Sequence, residues 1–357
     1  MTAVGVVGAG AMGAGIAQVA LEAGWEVVLH DVDDDAIERA RARIRDGLAR
    51  RAARLELDAD SIDAWVDGRL ANLRDARVLD TLATEATLII EAALEEIELK
   101  RTIFRALDAE APPDVILATN TSALSIGAIA EATTHGDRVI GLHFFNPVPL
   151  MALVEVVPGS LTASAVVERA TGIMREWGKI PVRSADRPGF IVNRVHRPYT
   201  IEALRMVEDG TAGVEAIDAA MRDAGFPMGP FELMDLSGLD VNLAAAQGVW
   251  EGHGRPDHLR PSPIQARLVA AGRLGRKTGR GFYTYADGRR TSIDPDFAMT
   301  GPATTTADAI RARILEAVAA EARRAADDGV AGLDDIVMAL RHGAAYPEDA
   351  LAILSTR

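Results

Sequence analysis

The sequence predicts an α/β protein: a doubly wound sheet, then an all-α C-terminal domain and a partial helical repeat. Three observations carry that prediction. Up to about residue 186, short β-branched runs alternate with longer helical stretches, the signature of a parallel sheet with crossover helices. Beyond Pro188-Gly189 the strand signals stop, and helical periodicity continues to about Tyr285. Sliding the chain by 119 residues then sets 202–222 on 321–341 without a gap, with ten of the 21 positions identical.

The chain opens on a strand, Ala3-Val4-Gly5-Val6-Val7, that runs into Gly8-Ala9-Gly10-Ala11-Met12-Gly13 and an apolar helix. A second strand, Glu26-Val27-Val28-Leu29-His30, follows and ends at Asp31. Three glycines in this spacing allow a tight turn, close backbone approach to a pyrophosphate and helix–strand contact, while the helix N-terminus favours anionic groups. An acid at the end of the second strand is suited to accept both ribose hydroxyls of an adenosine and repels a 2′-phosphate, which favours NAD over NADP. The first domain is therefore expected to be a Rossmann-type nucleotide-binding sheet. FAD uses the same first turn and stays open at this point.

Residues 33–74 are too long for one ordinary crossover, and their Ala/Arg/Leu periodicity predicts a helical hairpin projecting from the sheet. Later strands are expected at Thr87-Leu88-Ile89-Ile90, Val115-Ile116-Leu117-Ala118, Val139-Ile140-Gly141-Leu142-His143 and Leu153-Val154-Glu155-Val156-Val157. The domains are thus expected at 1–186, 187–285 and, after a Gly/Thr/Pro/Asp-rich linker over 286–307, a partial repeat of the helical domain at 308–357. The shared Asp-Gly-x-Ala-Gly turn at 209–213 and 328–332 is harder to attribute to alanine-rich mimicry than the flanking helices are.

Composition limits the function classes. No apolar run is long enough to cross a bilayer, and the N-terminus enters the first strand with no basic region or cleavage site, so a cytoplasmic protein is expected. Cysteine is absent, which removes disulfides and thiolate catalysis. A formal charge of −14 argues against general nucleic-acid affinity. Two basic groups stand out locally: Arg39, Arg41, Arg43, Arg45, Arg50, Arg51 and Arg54, and later Arg273, Arg276, Lys277 and Arg280. Each fits a solvated face or an anchor for an anionic ligand.

Chemistry is expected beyond the strand ends, where an open α/β sheet presents its ligands. Asn120-Thr121-Ser122 follows one strand, His143 ends the next, and Glu155 lies within an apolar run of the strand after that. A carboxylate among valines has to be paired, and an imidazole in the same sheet is the obvious partner. Oxidising an alcohol requires a base for the hydroxyl proton while hydride leaves carbon, and a His oriented by a buried carboxylate is suited to that task. Ser122 alone reads equally as a helix cap, and Asn193 as a cap or an interdomain hydrogen bond. The other histidines, His30, His135, His196, His253, His258 and His342, lack such a carboxylate context and show no metal-ligand spacing.

With these residues in view, the chain resembles the L-3-hydroxyacyl-CoA dehydrogenases. The resemblance is carried by the glycine motif with Asp31, by Asn120-Thr121-Ser122, and by Gly141-Leu142-His143-Phe144-Phe145-Asn146-Pro147-Val148-Pro149 with Leu153-Val154-Glu155. It continues through Arg187-Pro188-Gly189-Phe190-Ile191-Val192-Asn193-Arg194, Gly225-Phe226-Pro227-Met228-Gly229-Pro230-Phe231-Glu232-Leu233 and Gly275-Arg276-Lys277-Thr278-Gly279-Arg280-Gly281-Phe282-Tyr283, in order over about residues 3–285. It implies an NAD-dependent enzyme acting on an acyl-CoA, with His143 as base, Glu155 as its orienter, and Ser122 and Asn193 binding the substrate's 3-oxygen and thioester region. The cofactor set it implies is Gly8, Gly10, Met12, Gly13, Asp31, Glu95, Lys100, Asn120, Ser122 and Asn146. Two departures stand out. Ala123 replaces a second serine common in the family, and the Arg-rich hairpin does not match the family pattern residue by residue, so individual CoA contacts do not carry over. A relative that oxidises a free hydroxy acid or sugar acid, such as the crystallin-like gulonate dehydrogenases, is the competing enzyme reading, against which the motif around Ser122 counts. A non-catalytic NAD-binding protein is the other.

Members of this family ordinarily dimerise through the helical domain, so the chain is expected to be a homodimer or a monomer with an internal pseudo-dimer. In the second case the tail packs against the helix containing residues 202–207 through a stripe of Ala309, Ile310, Ile314, Leu315, Val318, Ala322 and Ala325. Truncation at Tyr285 is then expected to expose apolar surface.

Overall fold

The computed structural model describes residues 2–56, 58–298 and 305–355, and the chain divides after Asp186 into two compact units. The first is built from β1 (Ala3–Val7), α1 (Ala11–Glu22), β2 (Glu26–His30), α2 (Asp34–Ala53), α3 (Ala59–Leu70), β3 (Leu73–Asp75), α4 (Leu79–Glu85) and β4 (Leu88–Glu91). It continues with α5 (Ile97–Glu110), β5 (Ile116–Thr119), α6 (Ile126–Ala130), β6 (Val139–Phe144), β7 (Leu153–Pro158), α7 (Ser164–Glu176) and β8 (Ile180–Arg183). The strands form one eight-stranded sheet in the order β3-β2-β1-β4-β5-β6-β7-β8. The order reverses on either side of β1 and β4, and such a reversal leaves a crevice at the carboxyl ends of the strands.

The sheet's two faces separate by parity. Val4, Val6, Leu88, Ile90, Ile116, Ala118, Ile140, Leu142, Val154 and Val156 join one core with Ile16, Ile44, Val167 and Ile173 from α1, α2 and α7. The alternate residues look the other way: a Cβ on Gly5 would stand 2.5 Å from Leu82 of α4, and one on Gly141 would stand 2.7 Å from Ile126 of α6. Each fully buried aliphatic side chain contributes on the order of 1.5–3 kcal/mol, so the alternation fixes the register strongly. The helical hairpin expected over 33–74 is α2 and α3, capped by the Asp33 and Asp58 carboxylates.

The sheet departs from the expected parallel pattern in one place. β6 and β7 run antiparallel. The connection over 145–152 contains no helix, and a parallel return needs a crossover of a dozen or more residues. The short β3 and β8 were also not anticipated, because three or four residues with Arg, Asp or Pro among them carry little strand signal.

The second unit holds α8 (Val192–Val195), α9 (Arg197–Glu208), α10 (Val214–Asp223), α11 (Pro230–Ser237), α12 (Leu239–Gly252) and α13 (Pro263–Ala270). A hairpin of β9 (Tyr283–Ala286) and β10 (Arg289–Ile293) comes next, then α14 (Ala307–Asp327), α15 (Leu333–Gly343) and α16 (Glu348–Ser355). The unit is thus not wholly helical, and the expected linker at 286–307 is partly structured. Asp287 (φ +49°) and Gly288 (φ +70°) make the two-residue turn that matches hairpin twist. The buried Asp294 accepts hydrogen bonds from Arg280 and pairs with Arg273, tying the chain beyond β10 to this unit. The rest of the expected linker, 299–304, lies outside the described residues. Truncation at Tyr285 would remove β10 and Asp294 together with the tail.

Candidate active site

The site starts at the turn between β1 and α1. Gly8 adopts φ +103°, a conformation that side chains resist, and its N–H donates to the His30 carbonyl at 2.8 Å. A Cβ on Gly13 would lie 1.8 Å from the Gly8 carbonyl oxygen, so only glycine lets the helix start this close to the strand. A Cβ on Gly10 would meet nothing within 4 Å: the backbone there borders open space. α1 begins with no side-chain cap and no acidic residue in its first turn, and Met12 lies half-buried within that turn. This is a cradle for a pyrophosphate, where N–H groups without intrahelical partners face an anion. Asp31 borders it, with one carboxylate oxygen accepting the Ala9 N–H at 2.7 Å and the other the Asp33 N–H at 3.1 Å. The acid both faces the nucleotide end and braces the glycine turn. These features fit NAD.

A buried polar chain leads from β4 to the next loop. Glu91 ends β4 fully buried; one carboxylate oxygen accepts from Lys100 Nζ at 2.7 Å and the Ala93 N–H at 2.7 Å, the other from the Thr119 hydroxyl at 2.7 Å. Lys100 Nζ also lies 3.4 Å from Glu95. Glu95 in turn accepts from the Thr121 hydroxyl at 2.7 Å, the Ser122 N–H at 2.8 Å, the Ser122 hydroxyl at 3.1 Å and the Ala123 N–H at 3.2 Å. Burial pushes Glu95 up, but the hydrogen bonds from Thr121 and Ser122 and the Lys100 charge outweigh it and hold the carboxyl below its ordinary value. Among the expected cofactor residues, Lys100 is therefore placed beneath Glu95, with only 1% of its side chain exposed, and acts on the loop through that carboxylate. Glu91, Thr119 and Thr121 were missed by sequence reasoning. An acid closing the apolar run Leu88-Ile89-Ile90 was the available signal.

The antiparallel pairing of β6 and β7 sets His143 directly opposite Glu155. Cross-strand partners share a face. His143 Nδ1 meets a Glu155 carboxylate oxygen at 2.6 Å, Glu155 is fully buried, and the imidazole packs 4.5 Å from the Phe145 ring. Asn120, after β5, accepts the Phe144 N–H at 2.8 Å and so locks the β5 loop to the strand that carries His143. Asn193 lies in α8 of the second unit.

Asn146 and 147–150 border a cleft of about 370 Å³ that α1 and α2 complete through Gly15, Gln18, Arg43, Arg50 and Arg54. The basic group on α2 divides here. Arg39, Arg41 and Arg45 are paired to Asp33, Asp75 and Asp67, whereas Arg43, Arg50 and Arg54 have no ion-pair partner among the described residues. In the later group, Arg273 and Arg280 pair with Asp294, and Lys277 with Asp240. Among the described residues no group of His and acidic side chains could hold a metal, and no helix is long and apolar enough to cross a membrane.

A glycine-turned Rossmann sheet, a ribose acid and a buried His–Glu pair beside the nucleotide crevice define the protein class, a nicotinamide-dependent dehydrogenase with NAD as its cofactor. Residues 3–187 match the 3-hydroxyacyl-CoA dehydrogenase NAD-binding domain, and residues 189–285 match that family's C-terminal domain. The chain belongs to the 3-hydroxyacyl-CoA dehydrogenase family. It is 46% identical over 291 residues to the 3-hydroxyadipyl-CoA dehydrogenase of Escherichia coli K12, an alignment covering 81% of this chain and 60% of that protein's length. It is 43% identical over 282 residues to the mitochondrial hydroxyacyl-coenzyme A dehydrogenase of Rattus norvegicus, covering 78% of this chain and 90% of the relative. The crystal structure of 3-hydroxybutyryl-CoA dehydrogenase from Escherichia coli K12 superposes with a TM-score of 0.87 at 36% identity, covering 98% of this chain and 90% of the other.

Proposed function

We propose that the protein interconverts an L-3-hydroxyacyl-CoA and the 3-oxoacyl-CoA, with His143 exchanging the hydroxyl proton and Glu155 orienting it. The observation that carries this reading is the 2.6 Å contact between Glu155 and Nδ1 of His143, which assigns proton exchange with substrate to Nε2. Bound NAD accepts the hydride from the carbon that bears the hydroxyl. Glu155 stabilises the imidazolium formed as the proton arrives, inside a sheet where a charge without a partner is costly. Glu95 holds the Ser122 loop, and Ser122 is placed to meet the substrate oxygen. Arg43, Arg50 and Arg54 offer the phosphate-rich end of CoA an anionic site along the cleft with 147–150.

NADH oxidation with acetoacetyl-CoA tests this reading, with acetoacetate and other free oxo acids run in parallel. Turnover with the thioester and none with the free acids is expected. Turnover with free acids alone would assign the protein to the hydroxy-acid reading, and NADH binding without any turnover to a non-catalytic one.

Cofactor choice supplies a second test. In Asp31→Ser the ribose loses its acceptor, and the Ala9 N–H loses a charged partner in the glycine turn. A hydrogen bond to a charged group contributes about 1.5–3 kcal/mol. KM for NADH is therefore expected to rise by about tenfold or more, while NADPH, relieved of repulsion, gains relative to it. An unchanged NADH/NADPH ratio of kcat/KM would place discrimination elsewhere.

A further inference from the structure

The contact between α9 and α14 repeats itself with the two helices exchanged. Arg194, just before α9, donates to Glu321 of α14 at 2.7 Å and to Asp328 at 2.6 Å. Arg313 of α14 donates to Glu202 of α9 at 2.9 Å and lies 3.5 Å from Asp209. Arg313 follows Arg194 by 119 positions, as Glu321 follows Glu202 and Asp328 follows Asp209. Each half of the repeat thus offers its arginine to the other half's glutamate and aspartate. Reciprocal contact of this kind is the mark of an isologous two-fold interface. The pairing runs the helices antiparallel, as a two-fold requires.

Further features obey the same offset. Glu202 pairs with Arg205, and Glu321 with Arg324. The turn after each helix places its glycine in the left-handed region, Gly210 at φ +66° and Gly329 at φ +70°, and α10 and α15 start from extended glycines, Gly213 and Gly332. The halves differ where chemistry is concerned: Ala312, Leu315 and Val318 stand in the tail at the positions of Asn193, His196 and Tyr199. The tail has kept the interface residues and replaced the polar ones with apolar.

The packing agrees. α9 is buried on nearly every side from Arg197 to Met206, which a solvent-facing helix is not. α14 presents Ile310, Ile314, Leu315, Val318, Ala319, Ala322 and Ala325 to the interior, whereas Ala309, expected in that stripe, is exposed. Ala309 lies in the first turn, one position before the face begins at Ile310.

We infer that α14 and α15 are a covalently attached second copy of the α9–α10 interface, so that the contact two chains would otherwise make across this face is closed within one chain. The face is therefore occupied in every molecule, and a second copy docks there only when the tail is released.

Sedimentation velocity of the full chain over a wide concentration range tests this, with hydrogen exchange on the same samples. The wild-type chain is expected to sediment as a monomer, with α9 and α14 exchanging as one cooperative unit whose protection does not depend on concentration. Arg313→Glu sets a second negative charge beside Glu202 and Asp209, and is expected to give a concentration-dependent dimer. Combining it with Glu202→Arg is expected to restore the monomer. A wild-type dimer in which α9 protection rises with concentration would overturn the inference, as would a monomeric Arg313→Glu chain of native stability. If that variant does not fold, exchange on the wild type still decides: α14 opening while α9 stays protected shows that α9 does not need the tail.

Discussion

Replacing His143 with Gln is expected to lower kcat for acetoacetyl-CoA reduction by about 10²–10⁴-fold, the usual contribution of a positioned acid or base. The glutamine amide can still donate to Glu155, so the buried carboxylate keeps a partner, but it cannot take up or release a proton at the substrate. Alanine is the less informative change, because it also strands the fully buried Glu155 and adds a folding cost to the catalytic one. NADH affinity should stay close to wild type in His143→Gln, since the glycine turn and Asp31 lie on β1 and just after β2, three to five strands from β6 in the sheet order. Glu155→Gln should lose less turnover than His143→Gln, because it removes charge and orientation and leaves the base. Single-turnover reduction of acetoacetyl-CoA with pre-bound NADH separates chemistry from binding, and near-normal turnover in His143→Gln would overturn the assignment.

The part of this site that was legible in the sequence is the part built from local patterns. Gly8, Gly10, Gly13 and Asp31 sit within one strand–turn–helix–strand unit, so their spacing is their geometry. His143 and Glu155 were paired by chemical need, since a carboxylate among valines requires a partner. Their true relation, direct opposition across an antiparallel ladder, was not legible. It depends on the short connection over 145–152, and the expected parallel sheet would not have produced it. The hairpin at 283–293 was missed for a different reason. Asp287-Gly288 is a strong turn signal, but four of the five residues of β10 are exposed and polar, and such a strand reads as a loop. The repeat was visible as identity over 202–222 and 321–341. The arginines that make it reciprocal, Arg194 and Arg313, fall outside that window and acquire meaning only when each is seen on the other's carboxylates.

Lys100 shows why a residue can match a cofactor position and yet work one step removed from the cofactor. Its ammonium is buried between Glu91 and Glu95, and Glu95 carries the loop that begins at Thr121. Lys100→Met keeps the aliphatic stem and removes the charge, leaving Glu91 with only the Thr119 hydroxyl and the Ala93 N–H in a fully buried position. Removing one partner of a buried ion pair costs about 3–5 kcal/mol, because the remaining charge is uncompensated. Urea unfolding followed by circular dichroism should therefore show a loss of about that size, and the double change Lys100→Met with Glu91→Leu should recover much of it, since an apolar pair of similar volume is often neutral. Turnover should not recover in the double variant, for Glu95 would still lack its cation and the Ser122 loop its anchor. A Lys100→Met chain within about 1 kcal/mol of wild type would show that the pair behaves as a solvent-screened surface bridge. Recovery of both stability and turnover in the double variant would show that Glu95 holds the loop without help.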